Sequence, residues 1–121
     1  MSRIIFDISV LSRCDMPLRQ FAANSPVFCR NDASTAMYIV CSGTVEITDG
    51  ATRQFQIGPG EIFGELALME ESHRKESATA CTATEVAVVN RAMFLKLIAT
   101  EPELALQIMQ AIAERVRGGL A

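Results

Sequence analysis

Short runs of apolar and β-branched residues recur along the chain as far as residue 90, and turn-forming residues lie between them. The runs cover residues 18–21, 27–29, 37–41, 44–48, 53–57, 77–81 and 85–90. Short strands repeated at such intervals between turn signals are typical of a β-sandwich or β-barrel.

Glycine-containing turns separate several of these runs. Asp49-Gly50 lies between an apolar-alternating run at 45–48 and another at 53–55, which predicts a hairpin whose turn needs a positive φ. Ser42-Gly43 and Gly58-Pro59-Gly60 interrupt the pattern in the same way.

After Asn90 the apolar period lengthens from two residues toward 3.6. The apolar positions are Met93, Phe94, Leu97, Ile98, Leu104, Ile108, Ile112 and Val116. This pattern predicts two helices. Thr100 is expected to cap the second helix, Pro102 to lie in its first turn, and Gly118-Gly119 to end it.

The second predicted helix carries apolar side chains over a broad face. The face comprises Leu104, Ala105, Ile108, Met109, Ile112 and Val116. We expect it to pack on the strands, with Gln107, Gln110, Glu114 and Arg117 on the opposite side.

Composition favours one folded domain. At 121 residues, 50% apolar and 21% charged, we expect residues 1–121 to form a single domain, with strands at about 18–90 and helices at about 91–117. The net charge of -3 argues against a nucleic-acid partner, which needs clustered Lys and Arg. No apolar run is long enough to span a bilayer, so we expect a cytoplasmic protein without a membrane partner.

The cysteines and the one histidine offer little chemistry. Cys14, Cys29, Cys41 and Cys81 form no Cys-x-x-Cys pair, so buried free thiols are expected. His73 is the only histidine, which leaves no imidazole cluster for a metal and no oriented base for a catalytic triad. We therefore expect no metal, no cofactor and no enzymatic activity.

The segment from Gly58 to Met69 places a turn, a buried aromatic residue, a glycine and then helix-favouring residues in succession. This order predicts a strand that delivers a single helical turn. The start of a helix offers unpaired N–H groups to an anion, and Gly64 lets a ligand approach the backbone without a Cβ. On spacing alone, the segment is better explained without a ligand, by a glycine turn and by Glu65 favouring the helix dipole.

Several segments, in order, resemble a known family. They are Met37 to Ile47, Gly58-Pro59-Gly60-Glu61, Phe63-Gly64-Glu65-Leu66-Ala67-Leu68, Ser77-Ala78-Thr79-Ala80, and Phe94 to Arg117. Together they look like the strand-turn-strand signature, the phosphate-binding cassette and the closing helices of cyclic-nucleotide-binding domains. The resemblance covers about residues 18–117.

The resemblance implies a mainly β fold: a jelly-roll-like double-stranded β-roll with a short cassette helix and two C-terminal helices. In that family the cassette glutamate holds the ribose 2′-hydroxyl, while backbone amides and an arginine hold the cyclic phosphate. By position, Glu65 is the expected ribose acceptor. The expected ligand-binding residues are Phe63, Gly64, Glu65, Leu66, Ala67, Arg74, Ser77 and Ala78.

The sequence departs from the family where the arginine is expected, directly before Ser77, because Glu76 stands there. The nearest arginine is Arg74, in a loop that is one or two residues longer than usual. Either the insertion follows Arg74, which then reaches the phosphate, or Glu76 replaces the arginine and the pocket is degenerate. The sequence leaves both alignments open.

The resemblance implies a non-catalytic regulatory sensor for cAMP or cGMP. Occupancy of the site would be relayed through the last helix to an effector protein or to a second copy of the chain. The alternative is a β-roll that has lost nucleotide binding and serves as a protein interaction module.

Overall fold

The computed structural model describes residues 16–52, 54–65 and 73–117, the last three as backbone only. The strands are β1 (Leu18–Phe21), β2 (Pro26–Phe28), β3 (Ala36–Ser42), β4 (Val45–Thr48), β5 (Gln54–Ile57), β6 (Ile62–Phe63), β7 (Ser77–Ala80) and β8 (Thr84–Asn90). The helices are α1 (Arg91–Thr100) and α2 (Pro102–Arg117). The strands predicted from the apolar runs are confirmed to within one residue at each end.

The strands form two four-stranded antiparallel sheets that face each other. One sheet has the order β1-β8-β3-β6 and the other the order β2-β7-β4-β5. Apart from the β4–β5 hairpin, neighbouring strands in each sheet come from distant parts of the sequence, as in a jelly roll. The predicted mainly β roll with two C-terminal helices is confirmed.

Strand β3 is buried on both faces because it separates two cores. Met37 and Ile39 face a core that the first sheet shares with the helices, whereas Tyr38 and Val40 face the core between the two sheets. Side chains alternate across a strand, so an unbroken apolar run can supply both cores. Strand β8 does the same, with Val86 in one core and Ala87 in the other.

The turns have the geometry that the glycines predict. Gly50 adopts φ +82° in the hairpin between β4 and β5, and the Asp49 carboxylate accepts from the N–H groups of Ala51 and Thr52 at 2.8 and 3.0 Å. Gly43 adopts φ +86°, and a Cβ there would overlap the backbone of Thr84 at 2.8 Å. The predicted hairpin is confirmed.

The two helices pack on the first sheet through a few buried side chains. Leu97 is the buried residue of α1, and the buried face of α2 consists of Leu104, Ala105, Ile108, Ala111 and Ile112. Met109 was expected on that face, but it is 45% exposed, because it lies at the edge of the helix away from the sheet.

Thr100 does not cap α2 as predicted. It is the last residue of α1, and its hydroxyl donates to the carbonyl of Lys96 at 2.9 Å. The carbonyl of Glu101 accepts the first backbone bond of α2, from Ala105, and Pro102 opens the helix as expected. Thr100 is drawn into α1 because the connection between the helices is a single residue.

Some expectations fall on residues outside the described ranges: Leu66, Ala67, most of the cassette helix, Cys14 and Gly118-Gly119. Cys41 and Cys81 are half-buried free thiols, but Cys29 is exposed, so its predicted burial is wrong. It follows the last residue of β2, where the chain turns outward. No helix within 16–52, 54–65 and 73–117 is long and apolar enough to cross a bilayer.

Candidate functional site

The predicted cassette begins where β6 ends, over a cluster of three aromatic rings. Phe63 is fully buried, and its ring stacks on Tyr38 with centroids 5.1 Å apart. Phe28, from β2 in the other sheet, lies 6.0 Å from both rings. The side chain of Phe63 therefore belongs to the core between the sheets and supports the residues that follow it.

Gly64 turns the chain out of β6 with φ +70°, a conformation that favours glycine. A Cβ on this residue would lie 2.6 Å from Nη1 of Arg74 and 3.4 Å from the ring of Phe28. The side that glycine leaves open thus faces the Arg74 guanidinium. The next residue, Glu65, is buried, which is uncommon for a carboxylate.

The Arg74 side chain points inward, toward the cassette. It is 7% exposed; Nη1 donates to the carbonyl of Gly64 at 3.1 Å and Nη2 to the carbonyl of Ala36 at 2.6 Å. Its guanidinium carbon lies 4.0 Å from the centroid of the Phe28 ring, within cation–π range. Buried Nε finds no hydrogen-bond acceptor among the residues that the structure describes.

The electrostatics of the site centre on this buried cation. Burial lowers the pKa of Arg74 from its ordinary value, while the nearby Tyr38 hydroxyl and the Glu65 and Asp32 carboxylates act in the opposite direction. An arginine stays protonated in proteins even when it is buried. The site therefore holds a permanent positive charge next to the carboxylate that follows Gly64.

The backbone around Arg74 is held by the turn between β2 and β3. The N–H of Arg74 donates to the carbonyl of Asp32 at 2.8 Å, and the N–H of Asn31 donates to the carbonyl of Arg74 at 2.8 Å. Asn31 adopts φ +77°, and His73 bridges to Ala33 on the same turn. These bonds hold His73 and Arg74 against that turn, with the Arg74 side chain directed toward the site and His73 exposed.

The start of β7 is bound into the second sheet. The hydroxyl of Ser77 accepts from the N–H of Arg30 at 2.9 Å, and Ala78 is fully buried opposite Ile47. Glu76 is half-buried, with its Oε2 atom buried. The carboxylate directly before Ser77 therefore turns partly toward the protein.

The structure brings together three of the residues expected to bind a ligand: Gly64, Glu65 and Arg74. Phe63 lies below them, Ser77 and Ala78 lie on the neighbouring strand, and Leu66 and Ala67 are outside the described residues. The Phe28 ring and the Ala36 carbonyl also contact Arg74, and neither contact was predicted from the sequence. The apolar runs predict that Phe28 and Ala36 lie in or next to strands. They do not predict that either residue contacts an arginine in a loop that is distant in sequence.

Known proteins share the sequence pattern and the fold of this chain. The family model for the cyclic nucleotide-binding domain matches residues 18–101. The cyclic AMP receptor protein of Thermus thermophilus is 35% identical over 104 residues, which are 82% of this chain and 48% of that protein. The chain thus spans about half of this relative.

Solved structures share the fold. The catabolite activator protein of Thermus thermophilus superimposes with a TM-score of 0.78 at 31% identity, over 93% of this chain and 55% of that one. A structure described under a cyclic-GMP-dependent signalling pathway in bacterial phytopathogenesis gives a TM-score of 0.84 at 24% identity, over 96% and 98% of the two chains. Given the family match, the ordered motifs and the shared roll, this chain belongs to the cyclic nucleotide-binding domain family.

Proposed function

We propose that this domain is a regulatory sensor that binds cAMP or cGMP between the cassette and Arg74. The observation that carries the proposal is the direction of the Arg74 side chain. Its guanidinium contacts the carbonyl of Gly64 instead of solvent, which favours the alignment in which the insertion follows Arg74. A buried cation beside the start of the predicted helical turn suits a phosphodiester anion.

Each expected contact has a chemical reason. The buried Glu65 carboxylate is an acceptor for the ribose 2′-hydroxyl, and the backbone amides of Gly64, Leu66 and Ala67 are donors for phosphate oxygens. Arg74 supplies the positive charge. Ser77 and Ala78 line the phosphate from the side of β7.

The helices are the proposed route of output. The core between the first sheet and α2 is continuous with β3 and β6, the strands that support the site. Ligand changes the output only if it binds two arrangements of these helices with different affinity. The partner is an effector protein or a second copy of the chain.

Calorimetric titration with cAMP and cGMP tests the proposal, with 5′-AMP as the non-cyclic control. We expect binding of a cyclic nucleotide, and a loss of roughly ten- to a hundredfold in affinity for Glu65→Gln, because a hydrogen bond to a charged group is removed. Arg74→Lys is expected to weaken binding as well. Arg19→Lys is its matched control, since Arg19 also lies over a ring, that of Phe21 on β1.

Absence of heat and of any thermal shift at millimolar cAMP and cGMP would exclude a nucleotide sensor. The second candidate function would then hold: a roll without nucleotide binding that acts as a protein interaction module. The buried oxygen of Glu76 favours this alternative, because a carboxylate there repels phosphate. Glu76→Arg separates the two, since it creates or strengthens binding only if the pocket is degenerate.

A further inference from the structure

The Arg74 guanidinium fills the space beside Gly64 that a side chain on this residue would otherwise take. A methyl group on Gly64 would come within 2.6 Å of Nη1, so the open side of this glycine is already filled by a side chain of the protein. An anion that approaches the same side meets the guanidinium first. Binding there requires Arg74 to move.

Contacts with other residues of the protein hold the Arg74 side chain in this position. Two of its nitrogens donate to the carbonyls of Gly64 and Ala36, and one face of the guanidinium covers the ring of Phe28. The third nitrogen, Nε, is buried and finds no acceptor in the described part of the chain. A buried donor without an acceptor is costly. Among the described residues, the Arg74 guanidinium is therefore well packed but makes fewer hydrogen bonds than it can.

We propose that Arg74 is a latch: in the ligand-free domain it closes the phosphate position, and Phe28 sets how tightly it is closed. This inference rests on the proposed function. A cyclic phosphate supplies an acceptor for Nε, which has none among the described residues, and draws the guanidinium off the Phe28 ring and away from the carbonyl of Ala36. Phe28 is thus an affinity-determining residue that acts through Arg74.

The hydrogen bond from Arg74 to the carbonyl of Ala36 connects the latch to the start of α1. Ala36 is paired with Asn90 in the register of β3 with β8, and the Asn90 side chain accepts from the N–H of Met93 at 2.8 Å. Release of the Ala36 carbonyl therefore changes the strand position opposite the residue that caps the helix. This gives the latch a short physical connection to the helices.

The affinity of Phe28→Leu for cAMP and cGMP tests the latch. Because loss of the ring weakens the closed position, we expect binding about three- to tenfold tighter than in the wild type. Phe21→Leu is the matched control: it removes a half-buried ring that also carries an arginine, Arg19 at 5.1 Å, on β1 of the other sheet. Its affinity should equal that of the wild type.

Unchanged or weaker binding by Phe28→Leu overturns the latch while leaving the proposed function intact. Absence of binding in both the wild type and the variant overturns the proposed function, and the latch with it. The two failures are therefore distinguishable.

A measurement on the wild type applies even if Phe28→Leu does not fold. In NMR spectra recorded with and without cAMP or cGMP, the Hε signal of Arg74 should shift as Nε gains an acceptor, and the amide of Met93 should shift with it. The Hε signal of Arg19 should stay in place. A stationary Arg74 signal at saturation, with the amide of Gly64 shifted, contradicts the latch.

Discussion

Gly64 and Arg74 depend on each other. Gly64 has φ +70°, and the place of its missing side chain holds a guanidinium that hydrogen-bonds its own carbonyl. Two separate requirements, backbone conformation and free space, thus fall on one residue. The free-energy cost of each requirement can be measured separately, because Gly50 requires the backbone conformation but not the free space.

Gly64→Ala is expected to destabilise the fold by at least about 1 kcal/mol more than Gly50→Ala, because forcing a methyl group into a filled space costs about 1 to 3 kcal/mol. Gly50 has φ +82° and nothing within 4 Å of its ideal Cβ, so its variant reports the backbone strain alone. Urea unfolding of the two variants and the wild type gives the difference. Equal destabilisation would show that the contact with Arg74 is loose.

The sequence alone did not show whether Arg74 supplies the positive charge of the site. Glu76 stands directly before Ser77, and Arg74 lies two positions earlier. The side chain of Arg74 turns inward because its backbone is bonded to Asp32 and to Asn31, on the turn between β2 and β3. That turn is distant in sequence, so the choice could not be read from the loop itself.

Among the elements, α1 depends most on a single side chain. Its one buried residue is Leu97, and its N-terminus is capped by the side-chain Oδ1 of Asn90, which accepts from the N–H of Met93 at 2.8 Å. A short helix with little burial relies on its cap, because the first N–H groups have no partner within the helix.

Asn90→Ala is therefore expected to cost about 1 kcal/mol of the free energy of unfolding, whereas Asn90→Ser, which keeps an acceptor, costs less. Thr100→Ala is the control within the same helix, since the Thr100 hydroxyl only donates back to the carbonyl of Lys96. Its effect should stay within about 0.5 kcal/mol. Thermal unfolding measures all three, and a larger loss for Thr100→Ala than for Asn90→Ala would contradict the assignment of the cap.

At the scale of the molecule, one sheet joins two cores. The helices pack on the outer face of the first sheet, and the second sheet covers its inner face. Strands β3 and β8 contribute to both cores, so the helices and the roll are expected to unfold together as one cooperative unit.

Ile108→Ala is expected to lower the free energy of unfolding by about 2 to 5 kcal/mol, because it leaves a cavity between α2 and the first sheet. Ile108 is fully buried, whereas Leu106, two residues earlier on the same helix, is 51% exposed. Leu106→Ala should therefore have a much smaller effect. Denaturant unfolding followed by both far-UV circular dichroism and Tyr38 fluorescence should give coincident transitions.

An earlier transition in the helical signal of Ile108→Ala, with the Tyr38 signal unchanged, would contradict this coupling. It would show that the helices separate from an intact roll.

The sequence by itself determined the elements and the class of fold. Alternation along 45–48, the glycines in the turns before β4, β5 and β6, and a change of period after Asn90 are local signals, and the structure confirms each of them. They are readable because side-chain spacing follows directly from strand and helix geometry. The cassette motif and the order of the other motifs indicated the family.

Only the tertiary structure decided which groups meet at the site. The Phe28 ring and the Ala36 carbonyl reach Arg74 from positions 46 and 38 residues earlier in the chain. Such contacts depend on the pairing of strands that are distant in sequence and on the direction of one long side chain. A local sequence pattern predicts neither the strand pairing nor the direction of that side chain. The energy of burying a cation depends on the groups that surround it in space, whatever their distance along the chain.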